Sequence, residues 1–153
     1  MRARVLITAA VALVVVLGGF VAARLLSGPG TALEQAVALA PADAERYTFT
    51  DWAAVREATG ATDVETLLEE GFDRDLTSAS GLVESAPLLD QQLGWSPATI
   101  DWELLAQSPG GAVEIVSLGS TSTGEVADRL AAAGYQRPAD EDGVWVGGTE
   151  VLA

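Results

Sequence analysis

An α+β fold is the expectation: a small sheet with helices packed on one face, preceded by one N-terminal transmembrane helix. Three observations predict it. First, the run from Val5 to Ala23, VLITAAVALVVVLGGFVAA, carries no charge. At about 1.5 Å per residue, its ~19 residues span a bilayer core as a helix. Second, the body mixes helix-period apolar segments, each ended by a glycine, with short period-two runs. Third, its last part reads strand–helix–strand, so Ala112–Leu118 and Val144–Val146 are expected in one sheet. A right-handed crossover would make them parallel neighbours or near neighbours.

The flanks of the apolar run set its orientation. Arg2 and Arg4 precede it and only Arg24 follows closely, which places the head in the cytoplasm and the body outside. Secretory signal cores run roughly 7–15 residues. This run is longer and has no polar segment before the small residues Val21-Ala22-Ala23, so an uncleaved anchor is expected. Cleavage after Ala23, leaving a secreted domain, is the alternative. The domains follow: a head at 1–4, the membrane helix at 5–26, a linker and juxtamembrane helix at 27–45, and an extracytoplasmic α+β domain at 46–153. That domain ends soon after its last strand, on a bare edge, as a piece of a longer domain would.

Charge and absent residue types exclude several functions. Three of the eight arginines lie before residue 31 and none of the 22 acids does, so five arginines against 22 acids leave the remainder at −17. Such a surface repels nucleic acid and anionic lipid and favours a cationic or protein partner in the envelope. There is no cysteine, histidine or lysine. This removes disulfides, a lipidated cysteine, thiolate and imidazole metal ligands, the commonest general base, Schiff-base chemistry and the P-loop lysine.

The elements can be justified in order. Ser27-Gly28-Pro29-Gly30 breaks the first helix. Thr31-Ala32-Leu33-Glu34 is a capping box opening a short helix to about Leu39, stopped before Pro41. Tyr47-Thr48-Phe49-Thr50 alternates and predicts a strand. Thr50 or Asp51 caps a helix carrying Trp52, Val55 and Arg56 to about Thr59, with Gly60 as its stop. Thr62-Asp63-Val64-Glu65 reads as a second capping box. It opens a helix with Val64, Leu67 and Leu68, closed by Gly71, with Phe72 packing back on the last turn.

Residues 73–81 are a polar loop. An apolar helical pattern runs from Leu82 to Leu93, with Pro87 in its first turn and Gly94 as its stop. Ser96-Pro97 begins a helical turn. Asp101–Gln107 fits either a helix continuing from Pro97 or a strand in which Ile100, Trp102, Leu104 and Ala106 alternate with Asp101, Glu103, Leu105 and Gln107, only Leu105 breaking the alternation. The alternation favours a hairpin through Ser108-Pro109-Gly110-Gly111 into Ala112–Leu118. Thr123 or Gly124 starts a helix with Val126, Leu130 and Ala133 inward, and Gly134 ends it.

Three pieces, Thr48-Phe49-Thr50-Asp51-Trp52, Leu93-Gly94-Trp95-Ser96-Pro97 with Asp101-Trp102-Glu103, and Ala127-Asp128-Arg129-Leu130 with Gly134-Tyr135, carry a resemblance. Together they resemble exported proteins of high-GC Gram-positive bacteria, with one N-terminal membrane segment and an α+β body. The resemblance implies that address and a longer C-terminus. It brings no activity.

Four groups of residues invite a chemical reading. Asp51-Trp52 and Asp101-Trp102 are either aromatic platforms beside carboxylates, as in sugar sites, or a cap followed by a core anchor. The anchor reading is preferred because tryptophan buries a large area. Asp101 and Glu103 share one side of the proposed strand, a glycosidase-like pair or simply a solvated face. Asp73-Arg74-Asp75 and Asp140-Glu141-Asp142-Gly143 resemble fragments of calcium loops but lack their spacing. The 119–124 loop precedes a helix without fingerprint glycines or a base. No catalytic, cofactor-binding or metal-ligating residue is therefore designated. The expected function is that of a single-pass membrane protein with an acidic extracytoplasmic binding or interaction domain. An envelope enzyme acting on a carbohydrate through paired carboxylates is the alternative.

Overall fold

The computed structural model describes residues 30–140 and 143–147. The predicted transmembrane helix lies outside the described residues. Among the described ones, no helix is long and apolar enough to cross a membrane. The chain divides into two compact units, Met1–Gln35 and Ala36–Ala153.

In the first unit, the predicted capping box is formed. The Thr31 N–H donates to Glu34 Oε2 at 2.7 Å, and the Glu34 N–H donates to Thr31 Oγ1 at 3.2 Å. Two otherwise unpaired amides at the start of helix α1 (Ala32–Leu39) are satisfied reciprocally.

The second unit is α+β, with a three-stranded antiparallel sheet in the order β1 (Arg46–Asp51), β2 (Trp102–Ser108), β3 (Gly111–Ser117). The hairpin reading of Asp101–Gln107 holds: Ser108 pairs with Gly111 and Glu103 with Val116. Pro109 fixes a negative φ, which a primed hairpin turn does not allow at that position, and Gly111 takes φ 150° as the chain enters β3. β1 pairs with the other edge of β2, with Thr50 opposite Glu103 and Phe49 opposite Leu104.

β1 passes into α2 (Trp52–Thr59) without a loop. Asp51 closes the strand and caps the helix, its Oδ1 accepting from the Ala54 N–H at 2.9 Å. Gly60 ends α2 at φ 71°, as expected. α3 (Val64–Asp73), α4 (Ala86–Leu93) and α5 (Thr123–Ala132) complete the unit. The core is Trp52, Val55, Leu67, Leu82 and Ile100, with Trp95, Val116 and Leu118 half-buried against it. Arg56 ties α2 to the 96–100 turn, its Nη1 donating to the carbonyls of Pro97 (2.7 Å) and Ile100 (2.6 Å).

The structure departs from expectation in several places, each with a local cause. The cap of α3 is Asp63, whose Oδ1 accepts from the Thr66 N–H at 2.9 Å, and not Thr62. A shorter link puts the carboxylate one turn below that amide, and the ionised oxygen is the stronger acceptor. Gly71 does not stop α3 but lies buried inside it, where an added Cβ would stand 2.6 Å from Thr77 Cγ2. The stop is four residues later. Asp75 takes φ 56°, and the Leu76 and Asp75 amides donate to the carbonyls of Gly71 and Phe72. This is a Schellman end with aspartate where glycine is usual. Phe72 consequently points outward, 75 % exposed, and does not pack back.

α4 begins at Ala86 and not at Leu82. Leu82 is in the preceding turn, yet its side chain is buried in the core. The strand expected at Val144–Val146 does not join the sheet. Val146 makes an isolated antiparallel bridge with Gln136, and no parallel pair exists among the described residues. Closing that short local loop costs less chain entropy than a crossover past α5.

Candidate functional site

β2 is the middle strand, with both edges paired, and residues on both its faces are buried, so alternation alone does not tell core from solvent here. Leu104 and Ala106 are buried on one face, where Trp102 stacks at 6.2 Å on Phe49. Glu103 points to the other face and is also buried, only 1 % exposed. It is not the solvated residue that the alternation predicted. The cause is visible in its partners. Trp52 Nε1 donates to Glu103 Oε2 at 2.9 Å, the Gly81 N–H to Oε1 at 2.9 Å, and Thr50 Oγ1 to Oε1 at 3.4 Å. Three donors replace the water that burial removes. Their arrangement follows from the sequence order: β1 supplies Thr50 directly opposite Glu103, and α2 begins two residues later with Trp52.

A second carboxylate stands beside the first. Glu114 on β3 pairs with Leu105, one row along the same face from the Glu103–Val116 pair. Its Oε1 is buried and receives no hydrogen bond, as does Thr48 Oγ1 in the same row. Glu114 is pushed up to about 7 from 4.5, first by burial and then by the charge of Glu103. Gly81 touches both groups. Its amide binds Glu103, and a Cβ built on it would lie 2.6 Å from Glu114 Oε2. A side chain at this position would have to push the Glu114 carboxylate aside.

The acid pair that exists is thus Glu103 with Glu114, and not Asp101 with Glu103. Asp101 is exposed, with its carboxylate against Gly119 and accepting from Ser117 Oγ at 3.4 Å. That negative group beside the 119–124 loop opposes anion binding there. The two Asp-Trp pairs part company. Asp51-Trp52 is a cap and a fully buried core anchor, whereas Trp102 is a half-buried strand residue. Asp73-Arg74-Asp75 forms the end of α3, with Arg74 bound to Glu70 at 2.6 Å. Glu141 and Asp142 lie outside the described residues. No group of three or more acids among the described residues is placed to hold a metal ion.

Glu114 was missed as a site residue, although one signal for it existed: it is the only charge in the β-branched run Ala112–Leu118. The described residues form open grooves, of which two bear on the site. One, of about 490 Å³, lies between the first turn of α5 and residues 137–140 with Trp145, where Arg137 covers the Trp145 ring at 5.1 Å. The other, of about 260 Å³, lies between Pro41–Ala44 and the hairpin tip. Neither is lined by Glu103, Glu114, Trp52, Trp95 or Trp102. Comparisons with protein-family models, with curated proteins and with solved structures gave no match.

Proposed function

We propose that the chain is a single-pass membrane protein, anchored through Val5 to Ala23, whose acidic extracytoplasmic domain binds a cationic or protein partner and does no catalysis. The observation that carries binding over catalysis is the position of the acid pair. Glu103 is only 1 % exposed and its oxygens are taken by Trp52, Gly81 and Thr50, which leaves it badly placed to reach a sugar ring. Trp52 serves the core and offers no stacking platform. The uncharged run, the basic head and the acidic body support the membrane topology. We also read α2, α3 and α4 as one layer on the Glu103 face of the sheet. The Trp52–Glu103 bond and the packing of Val116 on the Trp52 cluster support this reading.

The topology is tested by fusing, after Ala153, a reporter enzyme that is active only outside the cytoplasm. Activity is expected. An inactive reporter on an intact fusion protein would reverse the orientation and remove the extracytoplasmic domain.

A further inference from the structure

We propose that Glu103 and Glu114 act as one carboxyl pair that takes up a single proton, on Glu114, and that the hold of this pair on Gly81 beside the β2–β3 hairpin tightens as the pH falls. The geometry assigns the proton. Every partner of Glu103 is a donor: the Trp52 indole, the Gly81 amide and the Thr50 hydroxyl. Such a set suits an ionised carboxylate. Glu114 has the opposite surroundings, with one oxygen buried and undonated and a carboxylate as neighbour. Two charges so placed repel, and one proton relieves both the repulsion and the desolvation. The step is a simple uptake: a proton from solvent joins the Glu114 carboxylate to give a neutral carboxyl.

No cation on the packed elements does the same work. β1 brings Arg46 at the far end of this face, exposed and in no ion pair among the described residues. α2 brings Arg56, which is committed to the Pro97 and Ile100 carbonyls, and Glu57, which is exposed. The segment running to Gly81 and on to Ser85 brings Arg74, bound to Glu70, with exposed Asp75 and Glu84.

The test is a carboxyl-carbon NMR titration of the full chain in detergent micelles. Glu114 is expected to titrate near 7, and in Glu103→Gln its midpoint should fall toward the ordinary carboxylate range. A wild-type Glu114 midpoint near 4.5 would overturn the pair. Should Glu103→Gln not fold, Glu114→Gln provides the second reading. The wild type is expected to lose melting temperature from pH 5 to pH 8, and Glu114→Gln should lack that fall while Glu84→Gln keeps it. The same fall in Glu114→Gln as in the wild type would also overturn the proposal.

Discussion

Glu103 and Leu104 are neighbours on β2, both buried, facing opposite ways. The sequence pattern at this point was legible in part only. Alternation gave the strand and the hairpin correctly, because it reports backbone pitch. It placed Leu104 and Ala106 on a buried face correctly and misplaced Glu103, because polarity marks a solvent side only where the polar residue finds no donors inside. A glutamate can occupy such a position only when donors meet it, and those donors come from residues 50, 52 and 81, which no local window joins. Glu103→Ala should therefore destabilise the domain by about 3 kcal/mol, by orphaning the Trp52 indole and the Gly81 amide. Thermal or denaturant unfolding measures this, and a near-neutral change would return Glu103 to a solvated face. Trp52→Ala should cost about 4 kcal/mol, as a fully buried tryptophan does. Trp102→Ala, half-buried beside Phe49, should cost clearly less. At Glu114 the sign of the pH effect follows from its raised value. Between about 4.5 and 7 the folded state holds a proton that the unfolded state has lost. Its contribution is thus largest at the acid end of that window and is lost as the pH rises through it.

The elements were the most legible level, and the misses sit at their ends. Caps at Thr31, Asp51 and Gly60 and the turn at Ser96 follow from single residues with strong local preferences. The end of α3 does not. Glycine was read as a stop at 71, yet there it serves close packing against Thr77, and aspartate at 75 takes the left-handed position. Asp75→Gly should stabilise the domain by about 0.5–1 kcal/mol by removing that strain. Gly71→Ala should destabilise it, since Thr77 must yield to the new methyl group. A pair of melting curves with the opposite signs would contradict this account of the helix end. At the other end of α3, hydrogen bonds from Thr66 hold the Asp63 carboxyl below its ordinary value. That cap contributes above the ordinary carboxylate range and is lost as the pH falls through its lowered value.

At the scale of the whole molecule, composition supports a proposed address and is silent about partner. The acidic surface, the absence of histidine, cysteine and lysine, and the uncharged run narrow the function without naming a ligand. The class α+β was legible. The topology was not, because nothing local shows that Tyr47–Thr50 pairs with β2 while Val144–Val146 stays outside the sheet; long-range packing decides both. The central claim is that this domain stays tethered to the bilayer. Fractionation of cells expressing the full chain, with carbonate extraction and N-terminal sequencing of the product, tests it most directly. The account predicts an intact chain that resists extraction and remains with the membrane, as a spanning helix of ~19 apolar residues requires. A soluble product beginning at Arg24 would contradict it.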